Sequence, residues 1–355
     1  MTMLERDTTG RDGRQAPLRV GLVGAGRIGR LHADLLAHRV PGVALAAVHD
    51  AHVEAARHVG ARHDVPVTAD AAELIGAAGV DAVAICSSTD SHADLIVRAA
   101  QAGKAILCEK PVSLDLAEVD RALAAVEAAG VPFQIGFNRR FDAAHESVRE
   151  AVAAGAVGEP HLVRISSRDP SPPPLAYVRA SGGIFLDMMI HDFDMARFVT
   201  GTEVVEVYAR GALRIEPSFA AAGDVDPALV TLVHEDGCLT AIDNSRQAVY
   251  GYDQRVEVFG SLGMAASGNP PGHTGVLTTA DGSRTPALPT FFLERYVPSY
   301  VRAWECFAAA VATGEPTPVS GADARAPLVI GLAARRSLAE GRPVRTQEID
   351  AKEPL

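Results

Sequence analysis

Residues 18–29 read LRVGLVGAGRIG, an apolar run that passes directly into a glycine-rich turn. The run predicts a buried strand, and the turn matches the G-x-G-x-x-G pattern that opens a helix in dinucleotide-binding domains. Glycines there permit a tight turn and let the backbone approach a pyrophosphate, whose charge faces the helix N-terminus. An ordinary glycine-rich turn is the alternative. If the turn binds a dinucleotide, the residues expected to contact the cofactor there are Gly24, Gly26, Arg27, Ile28 and Gly29.

An acidic residue favours the dinucleotide hypothesis. Asp50 ends the second strand-like run, about 20 residues after the turn, where a carboxylate accepts hydrogen bonds from both hydroxyls of an adenosine ribose. A carboxylate there also repels a 2′-phosphate, and no arginine follows it directly. The sequence therefore predicts NAD, in preference to NADP, as the cofactor.

Apolar runs alternate with Ala-rich amphipathic stretches up to about residue 138. This alternation is typical of parallel strands joined by crossover helices. One helix is predicted to begin at Ser113 or Asp115 and to end at Gly130. We predict a doubly wound Rossmann domain at residues 17–138, with strands at 18–23, 43–48, 82–86, 105–108 and 133–137.

The pattern changes in the second half of the chain. After a predicted helix at residues 141–154, the apolar period moves toward two, and Gly or Asp-Gly signals separate several runs. Strands are predicted at 161–166, 204–210, 229–234, 238–244 and 255–259. The fold class is thus α/β, with the Rossmann domain followed by an α+β domain that contains a large, open, mostly antiparallel sheet.

The domain limits follow from these patterns. The second domain is predicted at residues 139–345, where a helix at 322–339 closes the interface with the first domain. Residues 1–16 are polar and charged, without the apolar core of a signal peptide, and are predicted to form a disordered leader. Residues 346–355 are assigned to a tail.

Composition and charge restrict the class of partner. The chain has 355 residues, 48% hydrophobic and 22% charged, with a formal net charge of −11. This balance disfavours nucleic acids and anionic membranes, and no apolar run reaches the roughly 18 residues of a membrane helix. Four scattered cysteines without C-x-x-C spacing indicate reduced thiols in a cytoplasmic protein. The expected partner is a small molecule or another copy of the chain.

A group of polar residues lies at 181–194, which read SGGIFLDMMIHDFD. If this stretch is helical, Asp187, His191 and Asp194 lie on one face and Asp192 lies to the side. His191 has the only side chain here that titrates unaided near neutral pH, so it is the best candidate for a general base. A core histidine held by a neighbouring carboxylate is one alternative. A pair of metal ligands is another, but no Cys or His cluster completes such a site, and we predict no metal.

Lys110 lies in Cys108-Glu109-Lys110-Pro111, at the end of a predicted strand. A residue before proline is held extended, so the ammonium is expected to point into the crevice where ligands bind. A solvated lysine at a strand end is the alternative. Oxidation of a secondary alcohol needs a hydride acceptor, a base and a cation beside the developing alkoxide, which NAD, His191 and Lys110 would supply. Asp187 would hold the imidazole or bind a substrate hydroxyl, and Asp194 is a second candidate for holding the imidazole.

Together these residues resemble the glucose-fructose oxidoreductase and inositol dehydrogenase family. The resemblance covers about residues 17–345 and agrees with the predicted fold. Its defining elements are Glu109-Lys110-Pro111, the Gly-Gly-x-x-x-Asp-x-x-x-His element at 182–191, and the segment GFNRRFD at 136–142. Within the family the chain is most similar to the inositol 2-dehydrogenases, through residues 181–197, 245–253 and 291–296.

The resemblance implies a role for each matching residue. The catalytic set is Lys110, Asp187 and His191, with His191 as the proton acceptor. Ser88 replaces a proline that is common in the cofactor loop of the family. Besides the glycine turn and Asp50, the residues expected to contact the cofactor are Ser87, Thr89, His92, Glu109, Lys110 and Asn138. The residues expected to bind the substrate are Lys110, Asn138, Arg139, Asp187, His191 and Tyr252, to which Asp169 is added because its carboxylate suits a hydroxylated ring.

The implied reaction is the reversible oxidation of myo-inositol, or a close cyclitol, to its 2-keto form with NAD. A ring that bears only hydroxyl groups suits neutral and anionic hydrogen-bond partners, which favours inositol as the polyol substrate. Dehydrogenases of scyllo-inositol, aldoses or sugar derivatives are the alternatives. A non-catalytic dinucleotide-dependent sensor is a rival from another class, although a sensor is expected to lose the Lys or the His. The resemblance also implies a homodimer or homotetramer formed through the sheet of the second domain.

Overall fold

The computed structural model describes residues 16–350. The predicted leader, apart from its last residue, and the end of the predicted tail lie outside the described residues. Two compact units are present. Within the described residues, the first contains 16–113, Asp120–Gly136 and Tyr300–Gly321, and the second contains Leu114–Val119, Phe137–Ser299 and 322–350. The polypeptide thus returns to the first unit near its C-terminal end, which a contiguous division at residue 138 does not include.

The first unit is built on five parallel strands. They are β1 (Leu18–Val23), β2 (Val43–His49), β3 (Ala82–Ile85), β4 (Ala105–Cys108) and β5 (Phe133–Ile135). They pair in the order β2-β1-β3-β4-β5, so the strand order reverses between β1 and β3. β3 and β4 are buried throughout, which is why their sequences are continuous apolar runs. The predicted doubly wound sheet is confirmed, although β5 ends at Ile135 rather than at Phe137.

Five helices accompany these strands. They are α1 (Arg27–His38), α2 (Val53–His63), α3 (Ala71–Gly76), α4 (Thr89–Gln101) and α5 (Leu116–Ala129). Of the two predicted starts of α5, Asp115 is the cap, because its Oδ1 accepts a hydrogen bond from the Ala117 N–H at 2.7 Å. The helix ends at Ala129 and is followed by the predicted stop Gly130, whose φ of +61° suits a left-handed C-terminal cap.

The second unit contains a seven-stranded open sheet and a separate hairpin. The strands are β6 (Pro160–Arg168), β7 (Val204–Gly211), β8 (Ala228–His234), β9 (Leu239–Ser245), β10 (Asp253–Gly260), β11 (Met264–Ser267), β12 (Leu277–Thr279), β13 (Gly282–Arg284) and β14 (Val344–Arg345). The sheet order is β11-β10-β6-β9-β8-β7-β14, and β12 pairs with β13. β6 and β9 are parallel, whereas the remaining pairs of the sheet are antiparallel. The predicted open, mostly antiparallel sheet is confirmed.

The later helices differ more from prediction. They are α6 (Ala143–Ala153), α7 (Leu175–Ser181), α8 (Ile190–Thr200), α9 (Phe292–Thr313) and α10 (Gly321–Glu340), with 3₁₀ turns at Asn138–Phe141, Pro217–Ala222 and Thr346–Glu348. The predicted helix from 141 begins two residues late, because the Asp142 carboxylate caps the N–H groups of Ala144 and His145 at 3.1 and 3.3 Å. α10 confirms the predicted helix at 322–339. No helix in residues 16–350 is long and apolar enough to cross a membrane.

α9 contributes to both units, with the change at Ser299 and Tyr300. Its C-terminal half is anchored to the end of the parallel sheet, where the Gln134 side-chain amide donates to the Ala303 carbonyl at 3.1 Å. Apolar periodicity does not reveal such a contact, since the two residues are 169 positions apart.

Candidate active site

The glycine-rich turn follows β1 and opens α1. Gly24 has φ +100°, and a Cβ there would overlap the backbone of Cys86 at the end of β3. A Cβ at Gly29 would overlap the carbonyl group of Gly24, so the third glycine allows the helix to pack closely on the turn. Gly26 is exposed, and no atom lies within 4 Å of the position of its missing Cβ. The turn thus presents an open backbone surface that fits a pyrophosphate.

The two other predicted residues of the turn begin α1. Arg27 is exposed and Ile28 is half-buried, and both belong to the first turn of the helix. Backbone N–H groups of a first helical turn have no partner within the helix and attract anions. This end of α1 is therefore suited to a phosphate group.

Asp50 connects the end of β2 to the glycine turn. Its Oδ2 accepts a hydrogen bond from the Ala25 N–H at 2.6 Å, and its Oδ1 accepts one from the His52 N–H at 2.7 Å. Each carboxylate oxygen keeps a further lone pair for a ribose hydroxyl. The carboxylate is half-buried beside the turn, as the predicted role requires.

The loop after β3 is held by hydrogen bonds among its own residues and the start of α4. Ser87 Oγ lies 2.6 Å from Ser91 Oγ, and Thr89 is the first residue of α4. His92 is 1% exposed, with Nδ1 at 2.8 Å from the Pro111 carbonyl oxygen and Nε2 at 3.0 Å from the Ser87 carbonyl oxygen. Burial lowers the pKa of His92. Because both ring nitrogens face protein carbonyls, the imidazole ties this loop to the segment that follows Lys110.

Glu109 and Lys110 follow β4, at the same edge of the sheet as the glycine turn. Glu109 is 7% exposed and lies 2.7 Å from Nε2 of His32 on α1. Lys110 is half-buried. The first unit thus aligns Asp50, the glycine turn, Ser87 and Glu109 along one sheet edge.

The segment that carries His191 is not a single helix, so that prediction is wrong. Residues Ile184–Met188 form a π-helical turn, in which the Met189 N–H bonds the Ile184 carbonyl at 2.8 Å, and α8 begins only at Ile190. The start of the turn is held by Asp224, whose carboxylate oxygens accept from the Ile184 N–H at 2.9 and 3.1 Å. The α-helical spacing assumed for Asp187, His191 and Asp194 therefore does not apply across this turn.

Asp187 lies in the π-helical turn and has polar neighbours of its own. The Tyr177 hydroxyl donates to its Oδ1 at 3.0 Å, and Nη1 of Arg246 lies 3.7 Å from its Oδ2. His191 is half-buried in the first turn of α8, where its ring meets the Phe137 ring edge-on with centroids 5.8 Å apart. An aromatic contact of this kind restricts the orientation of the imidazole.

The other two acidic residues of the segment are bound to arginines. Asp192 is fully buried, with Oδ1 2.6 Å from Arg139 Nη1 and Oδ2 2.7 Å from the Asn244 amide. Asp194 accepts hydrogen bonds on both oxygens from Arg140, at 2.6 to 3.2 Å. The suggestion that Asp194 orients His191 is therefore wrong, since its carboxylate is committed to a bidentate ion pair.

The predicted substrate residues near Arg139 are also engaged within the second unit. Arg139 is 6% exposed, and its Nη2 lies 3.4 Å from the Tyr252 hydroxyl. Burial raises the pKa of Tyr252, so the phenol stays protonated. The Asn138 amide donates to Ser299 Oγ at 3.3 Å. Contacts of these three residues with cofactor or substrate stay predictions.

Asp169 completes an acidic group around a buried arginine. Desolvation raises the pKa of Asp169 to about 6, where the Arg246 guanidinium opposes the shift and the Asp187 carboxylate adds to it. Arg246 is 1% exposed, and its Nη2 lies 3.6 Å from Asp224 Oδ2. The arginine therefore balances three carboxylates that would otherwise repel one another.

Sequence reasoning missed three residues of this region: Arg246, Trp304 and His32. Arg246 stands inside the segment 245–253 that carries the family resemblance, so its charge was a usable signal. Trp304 is the single tryptophan of the chain, and its indole N–H donates to Nδ1 of His32 at 2.8 Å. No local pattern connects these two residues, which are 272 positions apart.

Both parts of the chain match known families. Residues 18–137 match the oxidoreductase family with an NAD-binding Rossmann fold, and residues 145–266 match the GFO/IDH/MocA C-terminal domain. A myo-inositol 2-dehydrogenase of Thermotoga maritima is 47% identical over 333 residues, which cover 94% of this chain and 99% of the relative. An inositol 2-dehydrogenase of Rhizobium meliloti is 46% identical over 328 residues, which cover 92% and 98%.

A solved structure agrees with these matches. The crystal structure of Lactobacillus casei myo-inositol dehydrogenase in complex with NAD(H) and myo-inositol has a TM-score of 0.84 at 25% identity, and the match covers 96% of this chain and 98% of that one. The glycine turn and Asp50 explain why the first unit matches an NAD-binding family. Together, the matches along nearly the whole chain show that this protein belongs to the GFO/IDH/MocA family of oxidoreductases and carries its NAD-binding Rossmann fold.

Proposed function

We propose that this enzyme oxidises myo-inositol to its 2-keto form with NAD. The observation that carries the proposal is the 47% identity, over 94% of the chain, to a protein named myo-inositol 2-dehydrogenase. The open backbone at Gly26 and the carboxylate of Asp50 support the cofactor assignment. NAD, when bound, supplies the electrophilic ring carbon that takes the hydride from C2.

Residues of the chain would accept the substrate proton and stabilise the negative charge that develops on the substrate oxygen. In the proposed reaction His191 takes the hydroxyl proton as the C2–H bond breaks, and the Lys110 ammonium stabilises the oxygen until the C=O bond forms. Asp187 would bind a substrate hydroxyl or orient the imidazole. Its hydrogen bond from Tyr177 and the charge of Arg246 limit the motion of the carboxylate in either role.

A substrate panel tests the activity. Purified protein is mixed with NAD and, separately, with myo-inositol, scyllo-inositol, other cyclitols and aldoses, while NADH absorbance is followed. We expect the highest kcat/KM with myo-inositol. Turnover of an aldose in the absence of turnover with every inositol isomer would reject the substrate assignment but leave the NAD-dependent chemistry intact.

Matched substitutions test the two catalytic roles. His191→Asn is expected to lower kcat by roughly 10²–10⁴-fold, the contribution of a general base, with NAD affinity kept. His58→Asn, which changes an exposed histidine of α2, serves as its control and should leave kcat unchanged. Lys110→Ala should likewise lower kcat by several orders of magnitude. Full activity in either catalytic variant would refute the corresponding role.

The open sheet supports self-association. On its exposed face, neighbouring positions of four adjacent strands carry apolar side chains that are 40–56% exposed: Met264, Phe259, Leu162 and Leu239. A continuous apolar row on a sheet face is typical of a surface that another protein covers. We place a second copy of the chain there, in a homodimer or homotetramer.

Light scattering after size-exclusion chromatography tests this arrangement. Phe259→Glu, in the centre of the row, is expected to reduce the measured mass to that of one chain, because a buried charge opposes association. Leu277→Glu introduces the same charge on the separate hairpin, where the native leucine is 61% exposed, and should have no effect. A single-chain mass for the unmodified protein would contradict the proposal.

The thiols support a reducing compartment, and a cytoplasmic location forms part of the proposal. All four cysteines are free, and Cys86, Cys108 and Cys238 are buried. Burial raises the pKa of Cys86 and Cys108 well above the ordinary value, which keeps these thiols protonated and unreactive.

A further inference from the structure

A chain of hydrogen bonds is buried next to Lys110 in the first unit. The Trp304 indole N–H donates to His32 Nδ1 at 2.8 Å, and His32 Nε2 lies 2.7 Å from Glu109 Oε1. Trp304, His32 and Glu109 are 0%, 2% and 7% exposed. Because an indole nitrogen only donates, Nδ1 of His32 accepts, and the ring proton resides on Nε2 and points at Glu109.

The Trp304 hydrogen bond thus decides how His32 faces the Glu109 carboxylate. A second ring proton on Nδ1 would oppose the Trp304 N–H, so the indole favours the tautomer in which His32 donates from Nε2 to the Glu109 carboxylate. The other carboxylate oxygen faces Gly136 at the end of β5, where a Cβ would lie 2.9 Å from Oε2. A buried carboxylate of this kind attracts a cation from its surroundings.

The strand order indicates which part of the cofactor would lie near the Glu109 carboxylate. The glycine turn after β1 suits the pyrophosphate, and Asp50 after β2 suits the adenosine ribose on one side of it. The nicotinamide half therefore extends in the opposite direction, past β3 toward β4. Glu109 follows β4 and so lies at the part of the sheet edge where the nicotinamide is expected to bind.

We propose that the Trp304–His32–Glu109 chain holds a negative charge at the nicotinamide end and thereby selects the oxidised cofactor. The nicotinamide ring of NAD⁺ is cationic and that of NADH is neutral, so the carboxylate distinguishes the two. The inference rests on the proposed function, which places the reacting ring beside Lys110. Glu109 acts on the cofactor, whereas His32 and Trp304 are positioning residues that act through Glu109.

Calorimetric titration with NAD⁺ and with NADH tests the charge. Glu109→Gln preserves shape and removes the charge, so the ratio of Kd for NAD⁺ to Kd for NADH is expected to rise roughly tenfold, as for one partly screened charge pair. Glu109→Asp keeps the charge and should keep most of the preference. Glu127→Gln removes a charge from the exposed surface of α5 and should leave the ratio unchanged. Equal weakening of both redox forms by Glu109→Gln would overturn the proposal.

A second pair of variants tests the role of His32 in the Trp304–His32–Glu109 chain. His32→Leu removes both hydrogen bonds and should raise the same Kd ratio, whereas His32→Gln offers an amide donor to Glu109 and an acceptor to Trp304 and should restore it. Identical ratios for the two variants would exclude His32 as a positioning residue. Only binding-competent molecules enter a calorimetric Kd, so partial misfolding does not alter the ratio. No inositol is present, so failure of the substrate assignment would leave this result unaffected.

Discussion

Asp169→Asn tests the charge balance around Arg246. Desolvation raises the pKa of Asp169 to about 6 in the folded protein, against an ordinary value of 3.8. The native state therefore keeps a proton that the unfolded chain has released between about pH 4 and pH 6. The contribution of this proton to stability is complete below about pH 4 and is lost as the pH rises through about 6.

The size of the effect follows from the same shift. Two pKa units correspond to about 3 kcal/mol, and the partial exposure of this side chain reduces the expected value to roughly 1–2 kcal/mol. At pH 8 the wild-type protein holds a poorly solvated carboxylate, which the isosteric amide replaces. We therefore expect Asp169→Asn to raise the free energy of unfolding at pH 8 by about 1–2 kcal/mol, and the gain to shrink as the pH falls.

Urea denaturation followed by far-UV circular dichroism at pH 4.5, 6 and 8 measures this difference. Asp281→Asn alters an exposed carboxylate of the same unit and serves as the control, with no gain at pH 8 expected. A variant that is less stable than the wild type at pH 8, or a gain that is the same at all three values, would refute the reasoning about Asp169.

Three further substitutions probe other parts of the structure. Asp192→Ala is expected to lower the free energy of unfolding by about 3–5 kcal/mol, because Arg139 then remains buried without its partner at 2.6 Å; a urea titration that shows less than about 1 kcal/mol would contradict this. Gly24→Ala should abolish NAD binding in calorimetry, whereas Gly42→Ala, at φ +76° with open space around it, introduces comparable backbone strain without a clash and should bind normally. Asp50→Ala should weaken the preference for NAD over NADP in kcat/KM, and an unmodified enzyme that uses both cofactors equally would show that the ribose argument is incorrect.

Local sequence was sufficient for most of the architecture. The apolar run at 18–23 and the glycines that follow predicted a strand, a turn and a helix, because these elements depend on contacts among near neighbours. The same holds for Asp115 as a cap and for the helix at 322–339. Where the hydrogen-bond pattern changes, the prediction failed: the Met189 N–H bonds the Ile184 carbonyl five residues back, so a π-helical turn precedes α8 in place of the single expected helix.

The amino-acid sequence by itself determined which chemical groups this protein possesses: a glycine-rich turn after the first strand, a carboxylate at the end of the second, and the lysine, aspartate and histidine that are proposed for catalysis. Only the tertiary structure decided which partner each charged group has. It paired Asp194 with Arg140 rather than with His191, and it joined Trp304 and His32 to Glu109. The physical reason is that ion pairs and buried hydrogen bonds depend on distance and desolvation between remote segments, which residue spacing along the chain does not encode.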